Sequence, residues 1–467
     1  MQRQRQGFYP QQMRSLIAAL GFLLMAMNGC DAIYFENEKV AQQLHQDSHK
    51  ELRVLTLKHP LIYQKGSHGT YSGIDYDLLQ DFAQFSGLTL VFLVRPDEAS
   101  LMESLSRGEG DIVAARLRGE NKAIEGLLVG PAYEETQISL FCRQNLKIAH
   151  IKDIEGKSVG LLEKDTDLQM EDHLHFLAPK MSLQKIVNSN AHQLLKLTSK
   201  GSLDCAFAED LEGSYFLRAF PDLSKVTSVT DRYSLNWILR PGQADLQNSM
   251  EQWFQQASRQ DQILRIQDRY RTFLTSLDIH DIKRFKRSLQ QTLPEYEYSF
   301  KEAARFYKID WRLLGAIAFQ ESQWQPSARS YTGVRGLMQL TEDTASLAGL
   351  TDRSDPTESI WGGAFYFKYL WDRIPNNIHP SDHLALTLAA YNMGYGHLID
   401  AQKLVTLKGR NPYSWRDIKT VLPYLSDPDY ADGLEHGRAR GFETLDFVER
   451  VRGFHNIWTY LDTSSGH

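Results

Sequence analysis

The stretch Ala316-Ile317-Ala318-Phe319-Gln320-Glu321-Ser322-Gln323-Trp324-Gln325-Pro326 sets an acidic residue at the end of an apolar run, and its spacing carries most of the reading of this chain. Asp310 is a credible N-cap for a helix starting at Trp311, and Pro326 blocks easy continuation, so a helix of roughly three to four turns is bounded at both ends. On that helix Leu314, Ile317, Ala318 and Glu321 fall at i, i+3, i+4 and i+7, the spacing of one apolar face. A carboxyl on a buried stripe is costly to ionise. Its pKa rises, and it can hold a proton near neutral pH, as a general acid acting on a glycosidic bond must.

Working outward, Ser322 follows directly, then Gly333-Val334-Arg335-Gly336-Leu337-Met338-Gln339-Leu340-Thr341, and later Leu388-Ala389-Ala390-Tyr391-Asn392-Met393-Gly394-Tyr395-Gly396. This ordered set resembles the soluble-lytic-transglycosylase domain, which implies a mainly α, lysozyme-like fold acting on peptidoglycan glycan strands. The resemblance makes Glu321 the catalytic residue. It makes Ser322, Met338, Gln339, Tyr391 and Asn392 candidates for binding substrate and orienting that acid. Glu342 and Asp343 read as solvated charges at a helix start.

Hydrolases of either stereochemical outcome use two carboxyl groups flanking the scissile bond. The family implied here uses one. Glu321 would protonate the oxygen leaving N-acetylmuramic acid, then take the proton of that sugar's C6 hydroxyl, closing a 1,6-anhydro ring without water. The alternatives are a lysozyme-type hydrolase, and a periplasmic sensor of muropeptides or amino acids whose C-terminal domain is a non-catalytic glycan anchor.

Upstream, residues 51–272 alternate short β-branched runs with amphipathic stretches, predicting an α/β unit with largely parallel strands. Strands are expected at Leu52 to Leu57, Leu88 to Val94, Asp111 to Ala115 and Ser158 to Leu162, with a helix over Tyr76 to Phe85. Gly73-Ile74-Asp75-Tyr76-Asp77-Leu78-Leu79, Gly108-Glu109-Gly110-Asp111-Ile112, Gly130-Pro131-Ala132-Tyr133 and Gly156-Lys157-Ser158-Val159-Gly160 resemble the family-3 bacterial extracellular solute-binding proteins. That likeness implies two lobes around a ligand cleft for an amino acid or stem peptide. In that family an arginine clamps the ligand carboxylate. Its place here falls on Ala123, with Arg118 and Lys122 as neighbours. By the same resemblance Glu209 would hold the ligand ammonium and Thr166 would offer a hydroxyl.

His436-Gly437-Arg438-Ala439-Arg440-Gly441-Phe442-Glu443 and Phe447-Val448-Glu449-Arg450-Val451-Arg452 narrow the resemblance to the membrane-bound lytic murein transglycosylase F family, which joins the same two domains in the same order. Many relatives carry an active-site tyrosine where this chain has Phe447. The expected architecture is therefore multi-domain. A two-lobed α/β periplasmic-binding-protein-like domain (51–272) leads through a helical connector (273–293) to a mainly α lysozyme-like domain (294–467).

Residues 1–30 read as a signal peptide: Arg3, Arg5 and Arg14 precede an apolar core from Leu16 to Met27, too short to span a bilayer comfortably. Asn28-Gly29-Cys30 resembles a lipobox, with ordinary cleavage near Cys30 as the alternative, and 31–50 form a linker. The expected location is the periplasm of a Gram-negative bacterium, on the outer membrane, or on the inner membrane if Asp31 acts as a retention signal. Cys142 and Cys205 remain in the mature chain, and the sequence leaves both a disulfide and two buried thiols open. At 467 residues, 42% hydrophobic and 24% charged, the chain can build more than one core. A net charge of -6 without basic runs excludes nucleic-acid binding as an expectation, and 15 histidines without ligand spacing leave no metal or organic cofactor expected.

Overall fold

The computed structural model describes residues 51–65, 71–119, 126–165, 168–271, 277–330, 333–431 and 433–464. Expectations for the signal segment, Cys30 and Asp31, and those for Thr166, Lys122 and Ala123, lie outside them.

The β-branched runs form two sheets, each of five strands. In the first, the order is Thr89–Arg95, Glu51–Leu57, Ile112–Arg118, Tyr233–Leu239 and Leu128–Thr136. In the second it is Leu223–Ser228, Ile138–Arg143, Cys205–Glu209, Ser158–Leu162 and Ser182–Ile186. The chain enters the second sheet from Leu128–Thr136 and returns through Tyr233–Leu239, so two crossings join two lobes.

The sheets are mixed, which corrects the expectation of largely parallel pairing. Glu51–Leu57 runs parallel to its partners, but Tyr233–Leu239 is antiparallel to both neighbours, and so is Ile138–Arg143. The physical reason is the crossing itself. A strand that starts or ends a lobe needs no helical crossover, and antiparallel pairing accepts the short connection.

Gly73 opens the Ile74–Ser86 helix at φ 140, where a Cβ would stand 2.1 Å from the Ile62 carbonyl oxygen. The acids that follow it hold structure together. Trp237 Nε1 donates to Asp75 at 2.8 Å, and the Tyr270 hydroxyl donates to Asp77 at 2.9 Å.

Cys142 and Cys205 sit opposite each other on paired antiparallel strands and form a disulfide within the second lobe, which decides the question the sequence left open. The bridge closes a loop with a sequence separation of 63. Removing it with the Cys142→Ser/Cys205→Ser double variant is expected to cost about 2–4 kcal/mol, read as a lower denaturation midpoint that reductant no longer moves.

From Ile279 onward the described chain is helical. The Ile279–Gln291 helix, within the stretch expected as a connector, buries Ile282 and Phe285 in the C-terminal core, where Phe285 meets Phe319 with ring centroids 4.8 Å apart. At the centre lies the Trp311–Ser322 helix, packed against Leu293–Tyr307, Pro356–Trp371 and Gly441–Ser464. Gly315 lets the last of these approach closely, since a Cβ there would be 2.6 Å from the Trp458 ring.

The two domains meet through buried charge. Arg269 reaches Asp382 at 2.9 Å and Asp77 at 3.4 Å, and His379 Nε2 lies 2.9 Å from Asp77. Arg452 donates to the Arg269 carbonyl at 2.8 Å. Among the described residues no helix is long and apolar enough to cross a membrane.

Candidate active site

The helix bearing Glu321 begins where the sequence placed it. Asp310 caps it, accepting from the Arg312 backbone N–H at 3.0 Å. Its other end comes earlier than Pro326 would require. Gln323 and Trp324 both take left-handed conformations, at φ 55 and 60, and Trp324 Nε1 donates back to the Gly315 carbonyl at 2.9 Å. Two consecutive non-glycine residues in that region are costly and persist only because packing over-determines them. They turn the chain away immediately after Glu321 and leave its carboxyl at the rim of the core.

Glu321 is half-buried, and among the described residues no donor or charge is recorded pairing with its carboxyl. Burial alone pushes its pKa up to about 8. The helix-face argument therefore anticipates the direction and the cause.

Around it, the predicted residues divide into those that build the site and those with groups left to face a substrate. Ser322 is buried, its Oγ between the Ala318 carbonyl at 3.1 Å and the Leu337 carbonyl at 2.8 Å. It stitches the helix end to the Gly336-Leu337-Met338-Gln339 loop. The Met338 side chain is in the core, and its backbone N–H donates to Ser359 Oγ at 3.1 Å. Gly336 takes φ 80, and a Cβ there would lie 2.1 Å from the Arg353 carbonyl oxygen, so the loop requires glycine. Gln339 stands at φ 47 and spends its Nε2 on the Ala328 and Gly336 carbonyls, at 3.0 and 2.9 Å.

Tyr391 is buried and donates to the Met338 carbonyl at 3.2 Å. Burial first, and the nearby Glu321 charge second, hold its phenol well above the ordinary value. The hydroxyl therefore stays protonated beside the acid. Phe447 is buried with its ring parallel to Tyr391, centroids 6.4 Å apart. Asn392 is exposed, and its Oδ1 accepts from Thr444 Oγ1 at 2.8 Å, so what its amide has left to offer a substrate is N–H donors. Glu342 and Asp343 start the Glu342–Leu347 helix as expected, capped by Thr341.

Two residues escaped the sequence reading. Tyr366 and Tyr369 share a face of the Pro356–Trp371 helix. Tyr366 lies 5.4 Å from Tyr391, and Arg373 covers the Tyr369 ring at 3.6 Å. Their i, i+3 spacing was the available signal, lost among the many aromatic residues of that helix.

In the first domain, Glu209 is committed internally rather than open to a ligand ammonium. It caps the Asp210–Leu217 helix through the Leu211 and Glu212 backbone N–H groups, at 3.2 and 2.8 Å, and receives Arg116 Nη2 at 3.2 Å and the Thr136 hydroxyl. Arg116, at φ 53 where the pairing of its strand with Tyr233–Leu239 is irregular, also holds Glu134 at 2.6 Å. The guanidinium thus ties the two lobes together at their crossing. Arg118 lies 4.1 Å over the Tyr233 ring. Deeper in the cleft, Glu212 of the second lobe meets His59 of the first at 3.2 Å, while Lys164 lies 3.7 Å from Glu212 and 4.0 Å from Glu98. Burial raises Asp165 beside them to about 7.

Comparison with known proteins agrees with both halves. Residues 52–273 match the model of bacterial extracellular solute-binding proteins, family 3, and residues 298–413 match the transglycosylase SLT domain. A solved ABC uptake transporter substrate binding protein from Streptococcus pneumoniae, with bound histidine, overlays 48% of this chain and 94% of its own at 15% identity and a TM-score of 0.44. Proteins named membrane-bound lytic murein transglycosylase F align over nearly the whole chain. The one from Yersinia enterocolitica is 33% identical, covering 92% of this chain and 89% of its own. The one from Serratia proteamaculans is 35% identical over 87% and 84%, and the one from Alcanivorax borkumensis 32% identical over 89% of each. Motifs, architecture and this end-to-end similarity together establish that the chain belongs to the membrane-bound lytic murein transglycosylase F family, enzymes that cleave peptidoglycan.

Proposed function

We propose that Glu321 alone performs both proton transfers of a non-hydrolytic cleavage of the N-acetylmuramic acid to N-acetylglucosamine β-1,4 bond. The observation that carries this reading is a half-buried carboxyl with a pKa near 8 and, among the described residues, no charged partner. Protonated at neutral pH, it gives its proton to the leaving oxygen. As carboxylate it accepts the proton of the muramyl C6 hydroxyl, that oxygen attacks C1, and the 1,6-anhydro ring closes. The substrate's own N-acetyl group stabilises the positive sugar between the two steps, the role a second protein carboxylate would otherwise fill. Tyr391, Asn392 and Gln339 position the glycan, Tyr366 and Tyr369 offer it stacking faces, and Ser322 and Met338 act through the loop they brace.

Mass spectrometry of products released from purified peptidoglycan tests the reaction. Ends lighter by one water than reducing ends support it, and reducing ends alone would mark a hydrolase. Tyr391→Phe is expected to slow turnover about tenfold while costing only about 1 kcal/mol of stability, since it removes one hydroxyl bonded to a carbonyl. Turnover and thermal melts on the same preparation check both.

We take residues 51–272 as a ligand-sensing domain for a stem peptide or amino acid and 294–467 as the catalytic domain, with export and a lipid on Cys30 holding the enzyme at the periplasmic face of a membrane. The ion pairs joining the domains at Arg269, Asp77, Asp382 and His379 supply a physical route by which cleft occupancy can alter turnover. Addition of stem peptides should change turnover, and Asp77→Asn should blunt that response.

A further inference from the structure

The Tyr395–Leu407 helix follows the Tyr391-Asn392 pair directly, and its first turns carry an arrangement that the cleavage reaction does not use. Asp400 is fully buried. Its Oδ2 accepts the His436 backbone N–H at 2.9 Å, whereas among the described residues its Oδ1 has no hydrogen-bond partner. A buried carboxylate oxygen left without a donor is expensive. The Lys403 ammonium stands 3.8 Å from Oδ1, beyond hydrogen-bond reach, and is engaged by exposed Glu435. The exposed His436 ring lies against the same helix. It fits because Gly396 has no side chain, since a Cβ there would be 2.7 Å from His436 Cγ. A second orphan is His397 Nδ1, which is buried and has no hydrogen-bond partner among the described residues, its ring centroid 6.2 Å from that of His436.

One ligand atom each from Asp400, Glu435 and His436 lies within 4.8 Å of the others. We propose that these three residues bind a divalent transition-metal ion, zinc by the chemistry of the set, with water completing the shell. Two carboxylates and an imidazole suit zinc better than the all-oxygen cages of calcium or magnesium. Contraction of the ligand atoms from their present spacing needs only side-chain rotation at exposed Glu435 and His436. The ion replaces the Lys403 ammonium, whose exposed pair with Glu435 contributes little.

Its position defines its effect. Glu435 and His436 belong to the segment that leads into the Gly441–Ser464 helix, which carries Thr444 onto Asn392 and Phe447 onto Tyr391. A bound ion pins that segment to the Tyr395–Leu407 helix and firms the wall of the active site. Only one of the three ligands is a histidine, and Asp400 lies far along the chain from the adjacent Glu435 and His436, which is why no ligand spacing is visible among the histidines.

The test uses the full chain, stripped by chelator and titrated with zinc alone against a chromophoric competitor, with thermal melts in parallel. One equivalent is expected, raising the melting temperature by about 5 °C at a hundredfold excess over Kd. Asp400→Asn and His436→Ala should abolish that equivalent. Lys403→Ala should tighten it about threefold by removing the competing ammonium. If Asp400→Asn fails to fold, exposed His436 and Lys403 still decide the matter. The absence of stoichiometric binding, binding unchanged in His436→Ala, or Lys403→Ala that weakens binding overturns the proposal.

Discussion

Glu321→Gln should abolish release of soluble fragments from peptidoglycan, by about a thousandfold or more, and at the same time make the protein more stable at neutral pH. Loss of activity alone would follow from many substitutions. The opposite sign in stability is specific to a carboxyl held in a site that disfavours its charge. The ordinary value for the group is 4.5 and burial raises it to about 8, so the folded state binds a proton that the unfolded chain releases between those values. Stability of the parent therefore falls as pH rises through that window, and below it the penalty vanishes. Glutamine cannot ionise. The variant should gain about 1–3 kcal/mol on the parent at pH 8, well short of the full shift because the carboxyl keeps some solvent, and nothing at pH 4. Paired thermal melts across pH read the difference. The same proton sets the basic limb of the parent's kcat/KM profile near pH 8, since only the protonated acid can assist departure of the leaving oxygen. A variant that is inactive yet never more stable than the parent would deny Glu321 this role.

Arg116→Ala should be the most damaging single change in the first domain, costing about 3–5 kcal/mol. The guanidinium is buried between Glu134 and Glu209, and the two carboxylates keep it charged against the cost of burial. Removing it leaves two buried acids short of a partner: Glu134 retains Arg271, and Glu209 retains its hydrogen bonds to Thr136 and to backbone N–H groups and the more distant Lys164 charge. Arg116→Lys should recover little, because a point charge on a flexible stem cannot span both carboxylates as a planar fork does. Denaturant melts that follow the first domain by its tryptophans, Trp237 and Trp253, measure the loss. A change under about 1 kcal/mol would show that the lobes do not depend on this bridge.

The readability of each feature tracks how local its cause is. The Trp311–Ser322 helix, its Asp310 cap and the buried face bearing Glu321 depend on residues within a few turns, and periodicity exposes them. The Ser158–Leu162 strand falls where alternation put it. The helix has the three to four turns expected but stops short of Pro326, because what ends it, Trp324 bonded back to Gly315, is a tertiary contact while Pro326 acts only locally. The position of Glu209 in a motif is visible and suggests a ligand group, whereas its pairing with Arg116 joins residues 93 positions apart. Tyr366 beside Tyr391 was invisible for the same reason.

Order along the chain, two domain types, one acid on an apolar face and the motifs around it were all legible in the linear sequence, because hydrophobic period, caps and glycine-bearing turns act over short distances. Strand direction at the lobe crossings, the Cys142–Cys205 bridge, the Arg269 seam between domains and the orphan oxygen of Asp400 were settled by folding. Each depends on which charges and edges meet once the chain is compact. That is a matter of solvent exclusion and distance, which no pattern along the sequence encodes.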